Sequence, residues 1–460
     1  QRGDRAAAVQ HFNSYAATLD KELGIAPGAA LQELIGQVKG EGFFGKSGQR
    51  PETETRAPEP KRSSGRTSIA VLPFTWMASE ADSGFLSEGL VEDVSTKLSR
   101  FSWLEVSASP KLDGARPTGP EMADLAERYN LEYLVHGSLR VQEERLRVTV
   151  QLTDPKTGRY LWVQRYDREA ADPFEVQDEL TDTITGTLEA VIERSVGRFV
   201  REVPFEDMNA WDCYHRGLAI QYEFDASRNC LAQKYYRRAI ELDPNFGLAL
   251  ARLSYALVIS VIYFEAPDIE AKLEEALDLA QQAARLEPED AVARFALGRV
   301  HLARGDYNRS IADLRAAVDL NPRMAQAHCG LGDSMAYSGK IDPAIEYFEE
   351  AVRLSPTDPY RWAFLSYGAM ALLFKGAFED AASWAAEAEA MPNAHYWPVA
   401  IRTSALAHSG RLEEAAEALS ELVRRRPGIT CDFVRSRLFY LRSKAQLDTY
   451  IGGLRRAGLH

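Results

Sequence analysis

The spacing of apolar positions along this chain changes twice. From Ala6 to Leu23 and again from Gly28 to Val38, apolar residues recur three and four apart, with Val9, Phe12, Ala16 and Leu19 on one face. That spacing predicts two amphipathic helices, separated by the breaker Gly24-Ile25-Ala26-Pro27. Residues 45–67 then hold no apolar side chain larger than alanine or proline. A segment that buries so little cannot offset its ordering entropy, so a flexible linker over 41–67 is expected after a helical remnant at 1–40. Its six basic and three acidic residues predict a solvated stretch.

Across 68–195 the period shortens. Ser68 to Phe74 is a continuous apolar run, as in a strand covered on both faces. Gly84 to Leu98 reads as a helix, Trp103 to Val106 as a strand and Met122 to Tyr129 as a helix. Three strands follow at Tyr133 to Val141, Leu146 to Leu152 and Tyr160 to Tyr166. The middle one alternates strictly, with Leu146, Val148, Val150 and Leu152 inward. The turn residues of Asp154-Pro-Lys-Thr-Gly158 separate the last two strands, which predicts an antiparallel meander closed by a helix from Phe174 to Ile192. Tyr160, Trp162 and Tyr166 are expected to share one face of the last strand, packed in the core. The predicted fold is multidomain, with an α/β or α+β single-sheet domain at 68–195.

From residue 205 to 460 no strand pattern remains. Prolines recur at Pro288, Pro322, Pro356, Pro392 and Pro427, with spacings of 34, 34, 36 and 35. A glycine precedes the last four by 17, 17, 16 and 17 residues, at Gly305, Gly339, Gly376 and Gly410. Each proline follows a helix patterned like Ala344, Phe348 and Ala351, while Leu297-Gly298 and Leu331-Gly332 supply small residues where paired helices must approach. This resembles the tetratricopeptide (TPR) repeat, whose helix pairs bury their apolar faces only by stacking on one another. At least five pairs are expected, curling into an all-α superhelix with a C-terminal cap. Counting from the turn glycines places Arg299, Asp333, Tyr337 and Met370 on the concave wall, as candidate contacts for a protein or peptide partner. Val423 to His460 carries nine basic residues and two acidic ones and is expected to form a solvated cap.

The motifs Val71-Leu72-Pro73-Phe74, Glu88-Gly89, Glu92-Asp93, Val135-His136-Gly137-Ser138, Leu161-Trp162 and Arg165-Tyr166-Asp167 resemble a TolB-like N-terminal domain over about residues 68–192. Domains of this type accompany tetratricopeptide arrays in bacterial cytoplasmic regulators. Gly3-Asp4-Arg5-Ala6, Phe12, Tyr15 and Leu23-Gly24-Ile25-Ala26-Pro27 are similar to the end of a bacterial transcriptional activator domain. Together these resemblances imply the downstream part of an antibiotic-regulatory-protein-type regulator, with DNA contact left to an upstream winged helix. Similar tails follow class III adenylate cyclases, and a stand-alone adaptor is the third possibility.

Composition changes this picture little. The 460 residues are 45 % apolar and 26 % charged, with a net charge of −13. A surface that is acidic overall argues against nucleic-acid binding by the whole chain. Cys213, Cys230, Cys329 and Cys431 stand far apart, which points to a reducing, cytoplasmic setting. No apolar run reaches the length of a membrane span; Leu253 to Phe264 reads as a core helix.

Catalytic motifs are absent: no phosphate-binding glycine loop, nucleophile elbow or metalloprotease helix occurs, and Gly330-Leu-Gly332 fits a packing position. Glu88 and Glu92 share a helix face without a histidine at matching spacing, which favours solvation over metal binding. His136 is expected to pack against a covering helix. The chain is therefore read as non-enzymatic, with no catalytic residue, no metal and no cofactor.

Overall fold

The computed structural model describes residues 67–76, 84–101, 103–107, 119–142, 145–169, 173–199, 204–356, 358–391 and 393–460. The chain divides into two units, Gln1–Lys61 and Arg62–His460. The expected helices at 1–40 and most of the expected linker lie outside the described residues. Thr67, placed at the linker's end, is already the first residue of a strand.

That strand, β1 (Thr67–Val71), is buried along its whole length. Ile69 and Val71 face the main core, whereas Ala70 and Leu72 pack with Met122, Ala126, Leu131 and Leu134 on the other side. Two covered faces explain why the run does not alternate. Then come β2 (Thr75–Trp76), α1 (Gly84–Leu98), β3 (Leu104–Ser107), α2 (Gly119–Tyr129), β4 (Tyr133–Gln142), β5 (Arg145–Asp154), β6 (Arg159–Glu169) and α3 (Pro173–Phe199). The strand order is β3-β1-β4-β5-β6, with β2 also on β4. Pairing is parallel among β3, β1 and β4 and antiparallel from β4 to β6, so the sheet is mixed. β5 keeps the alternation read from its sequence, while α1 packs on β1, β2 and β3 and α3 on β6.

One register detail differs from the expectation. Leu152 pairs with Trp162 but Thr153 pairs with Tyr160, so Leu161 is an extra residue in β6. A bulge of this kind flips the side-chain faces on its two sides. Tyr166 is buried with the core, whereas Tyr160 is 55 % exposed on the opposite face, its ring 6.2 Å from that of His136. The three aromatics therefore do not share a face. His136 is buried, and its Nε2 meets Thr153 Oγ1 at 2.8 Å on the adjacent strand.

Six helix pairs follow. They are α4 (Ala210–Gln221) with α5 (Ala226–Leu242), α6 (Gly247–Ile262) with α7 (Ile269–Leu286), and α8 (Ala291–Ala303) with α9 (Tyr307–Leu320). The others are α10 (Ala325–Tyr337) with α11 (Ile341–Leu354), α12 (Arg361–Lys375) with α13 (Phe378–Glu389), and α14 (Trp397–His408) with α15 (Leu412–Arg425). Two short helices, α16 (Cys431–Arg437) and α17 (Lys444–Arg456), end the chain. The turn glycines Gly305, Gly339, Gly376 and Gly410 all have φ between +75° and +91°, a region that disfavours side chains. A Cβ on Gly298 or Gly332 would lie 2.5 Å from Leu314 Cγ or 2.9 Å from Phe348 Cζ, which is why the paired helices need a small residue there.

The sheet and the repeats share one continuous apolar core. Trp103 stacks on Trp211 of α4 at 6.3 Å between ring centroids. Arg323, in the loop before α10, reaches α3, with its Cδ 2.9 Å from where a Cβ on Gly186 would sit.

Candidate functional site

In each pair the first helix lines the inner wall, which draws the predicted residues together. Arg299 of α8 and Asp333 of α10 stand one repeat apart, 34 positions along the chain, and pair across the wall. Arg299 Nη1 donates to Asp333 Oδ2 at 2.7 Å, with the two side chains 9 % and 1 % exposed. Burial pushes the Asp333 carboxyl up to about 6 against the pull of the Arg299 charge. Burial works against the Arg299 charge as well and is the largest single effect, but the Asp333 carboxylate together with Tyr255, Tyr367 and Cys329 outweighs it, so the guanidinium stays charged. Tyr337, one turn along α10 from Asp333, lines the same small cavity as the ion pair, which has room for little more than a water. Met370 of α12 lines the neighbouring cavity with Tyr367, Tyr440 and Tyr450.

All four predicted residues are buried. Two features that the repeat phase does not encode cover them. The first is closure of the superhelix onto itself. Tyr263, just after α6, shares a hydroxyl–hydroxyl hydrogen bond with Tyr367 of α12, and Tyr360 Oη donates to the Gln221 carbonyl at 3.1 Å. Phe224 packs edge-on to Trp362, so the first and fifth pairs touch across the lumen. Burial holds the hydroxyls of Tyr263, Tyr337, Tyr367 and Tyr440 far above the usual range, so they stay neutral.

The second feature is the C-terminal segment: α16 and α17 form the expected cap, with eight of the nine basic residues of 423–460 exposed or half-exposed, but Arg437, Leu438, Tyr440 and Leu441 at their junction tuck into the lumen. The Tyr440 ring lies 5.7 Å from that of Tyr337. Its carbonyl accepts from Tyr307 Oη at 2.6 Å, and the same hydroxyl accepts from the Arg442 amide at 2.8 Å. Arg437 donates to the Val261 carbonyl, Arg442 Nη2 to the Arg304 carbonyl at 2.9 Å, and Gln446 Nε2 to the Ala336 carbonyl at 2.7 Å. These acceptors sit at the C-terminal ends of α6, α8 and α10, where last-turn carbonyls and the negative dipole end favour cationic and N–H donors. In sequence only the excess of basic residues in 423–460 hinted at this.

Candidate chemistry elsewhere does not converge. Glu88 and Glu92 are exposed, while Asp93 Oδ2 accepts from Gln177 Nε2 at 2.5 Å. Among the described residues no group of three His, Cys, Asp or Glu is placed to hold a metal ion. No helix there is long and apolar enough to cross a membrane.

Comparison with known proteins fits this geometry. Residues 271–325, 295–359 and 330–395 match the tetratricopeptide repeat family model. The pairs α8–α9, α10–α11 and α12–α13 lie within the matched span. A putative adenylate cyclase 3 of Rhizobium meliloti is 31 % identical over 227 residues, which are 49 % of this chain and 39 % of that protein. Anaphase-promoting complex subunit 3 of Schizosaccharomyces pombe is 27 % identical over 146 residues, 32 % of this chain and 20 % of that one. The chain thus spans well under half the length of either relative. Among solved structures, the APC/C hetero-tetramer Cut9–Hcn1 is 16 % identical, covers 54 % of this chain and 48 % of its own, and has a TM-score of 0.44.

Proposed function

We propose that this chain is the protein-binding, non-enzymatic portion of a bacterial cytoplasmic regulator. The tetratricopeptide array at 205–460 takes a protein or peptide partner on its inner wall, with Arg299, Asp333, Tyr337 and Met370 at the wall's centre. The domain at 68–195 acts as a TolB-like signal-receiving or scaffold module. Residues 1–40 are the last helices of an activator-like domain, tied on by the linker at 41–67, and DNA is contacted only by an upstream domain. The observation that carries the reading is the row of inner helices α6, α8 and α10, whose C-terminal ends accept donors from a single bound segment. Because the sheet and array share a core, a partner that prefers one arrangement of the array biases the whole body.

A second reading has a specific observation behind it. The similarity to the putative adenylate cyclase of Rhizobium meliloti favours the accessory tail of a class III cyclase. The two readings give the array the same work and differ in the head it serves. The reading frame upstream of Gln1 separates them: a winged helix there supports the first, a cyclase domain the second, and neither leaves a stand-alone adaptor.

Site-specific photo-crosslinking in the source cell tests the shared claim. A crosslinking side chain at the exposed rim positions Arg304 and Ser338, beside the lumen, is expected to trap discrete partners. The same group at Arg315 of α9 or Glu349 of α11, on the outer helices, is expected not to. Equal trapping at all four positions, or none at any, overturns the reading.

A further inference from the structure

We propose that the inner wall is an interaction surface whose resident is this chain's own C-terminal segment, Arg437 to Gln446, and that the partner is a basic, tyrosine-bearing segment that displaces it. The inference rests on the protein-binding reading and adds the chemistry of the partner and the way access is controlled.

Three observations carry it. The first is the geometry of the resident. Tyr440 is inserted over the Arg299–Asp333 pair, and it shares the cavity lined by Arg299, Asp333, Tyr337 and Tyr367. Its flanks are fixed by hydrogen bonds that run mainly between the segment's side chains and backbone carbonyls of the wall: Arg437 to Val261, Arg442 to Arg304, Gln446 to Ala336. Backbone acceptors at helix ends select for cationic donors at a given spacing and are blind to which chain supplies them.

The second is charge. Residues 423–460 hold nine basic and two acidic side chains, so against −13 for the chain the remaining residues carry −20. The third is attachment. Arg426 to Thr430 is a non-helical link after α15, with Gly428 at φ +75°. The Arg426 ion pair with Glu265, which anchors the link to the wall, is about one-third exposed on both sides. Between α16 and α17 the segment Leu438–Ser443 is again non-helical. The recognition pattern is Arg-x-x-Tyr-x-Arg, spelled here by Arg437, Tyr440 and Arg442.

A tethered occupant competes at an effective concentration on the order of millimolar, so weakening it opens the site to a free copy. The probe is a fluorescein-labelled synthetic peptide of residues 432–447, titrated by anisotropy into the full chain and into the full-length triple variant Arg437→Ala/Tyr440→Ala/Arg442→Ala. The variant is expected to bind the peptide at least roughly tenfold more tightly than wild type. A peptide carrying the same three alanines is expected to bind neither. Equal affinity for the two chains, no binding to the variant, or equal binding of the alanine peptide overturns the proposal.

Hydrogen exchange on the wild-type chain decides independently of whether the variant folds. Amides 438–447 are expected to open more readily than those of α8 and α10, and faster still with excess unlabelled peptide. Exchange of 438–447 only together with α8 and α10 contradicts displacement. Neither contradictory result touches the protein-binding reading, which is scored by adducts at Arg304 and Ser338 in the wild-type chain.

Discussion

Removing one member of the Arg299–Asp333 pair while leaving the other is the sharpest perturbation the inner wall offers. Asp333 is 1 % exposed and Arg299 9 %, their heavy atoms meet at 2.7 Å, and the surrounding side chains are tyrosines and aliphatics. Asp333→Ala leaves a buried guanidinium with no counter-ion. Breaking such a pair costs about 3–5 kcal/mol, most of it the stranded charge rather than the lost attraction. The double change Arg299→Met/Asp333→Leu removes both charges and keeps most of the volume, so it is expected to lie within about 1 kcal/mol of wild type. Urea unfolding followed by far-ultraviolet circular dichroism reads the difference. With a slope of about 3 kcal/mol per molar, the single variant should lose about 1–1.7 M in midpoint while the double variant recovers most of that. A loss below about 1 kcal/mol for Asp333→Ala, or a double variant as unstable as the single one, would refute the argument that the pair is fully desolvated.

The remaining predictions concern pH and packing. Asp333 has a folded pKa near 6 against about 3.9 unfolded, so the native state binds the extra proton between those values. Its contribution is whole below about pH 4 and is lost as pH rises through about 6, by up to about 3 kcal/mol, and the difference between wild type and Asp333→Asn should show that slope. His395 has the opposite sign: burial lowers its pKa to about 3, so its contribution is present above about 6.5 and is lost as pH falls. Wild type should therefore lose stability relative to His395→Phe as pH falls below about 6.5, and a difference in thermal melts that stays constant from pH 4 to 7 would contradict a neutral, buried imidazole. Gly332→Ala places a Cβ 2.9 Å from Phe348 Cζ and 3.1 Å from the Ala344 carbonyl, so overpacking of about 1–3 kcal/mol is expected in urea unfolding.

The array was legible because its period is written in residues with mechanical reasons to recur. Pro322 and Pro356 follow helices that they cannot continue, Gly305 and Gly339 adopt positive φ, and Gly298 and Gly332 admit Leu314 and Phe348. The same count brought Arg299, Asp333 and Tyr337 to one wall. It could not show them buried, since burial there comes from contacts across a full turn: Tyr263 with Tyr367, Gln221 with Tyr360, Tyr307 with Tyr440. No local period encodes pairs more than 100 residues apart. β6 failed for a related reason, because one inserted residue, Leu161, moves Tyr160 to the other face without altering the hydrophobic pattern around it. The C-terminal segment carries no repeat signature, and its basic residues read equally as solvated or as donors until the helix-end carbonyls are in view.

The central claim is that the inner wall of the array is the recognition surface. Hydrogen exchange on the full chain, with and without a crosslink-identified partner, tests it most directly. The account predicts added protection on the C-terminal halves of α6, α8, α10 and α12, together with faster exchange in residues 438–447 as the resident segment leaves. Protection confined to the outer helices α7, α9, α11 and α13, or to the exposed face of β6, with the C-terminal segment unchanged, would contradict it.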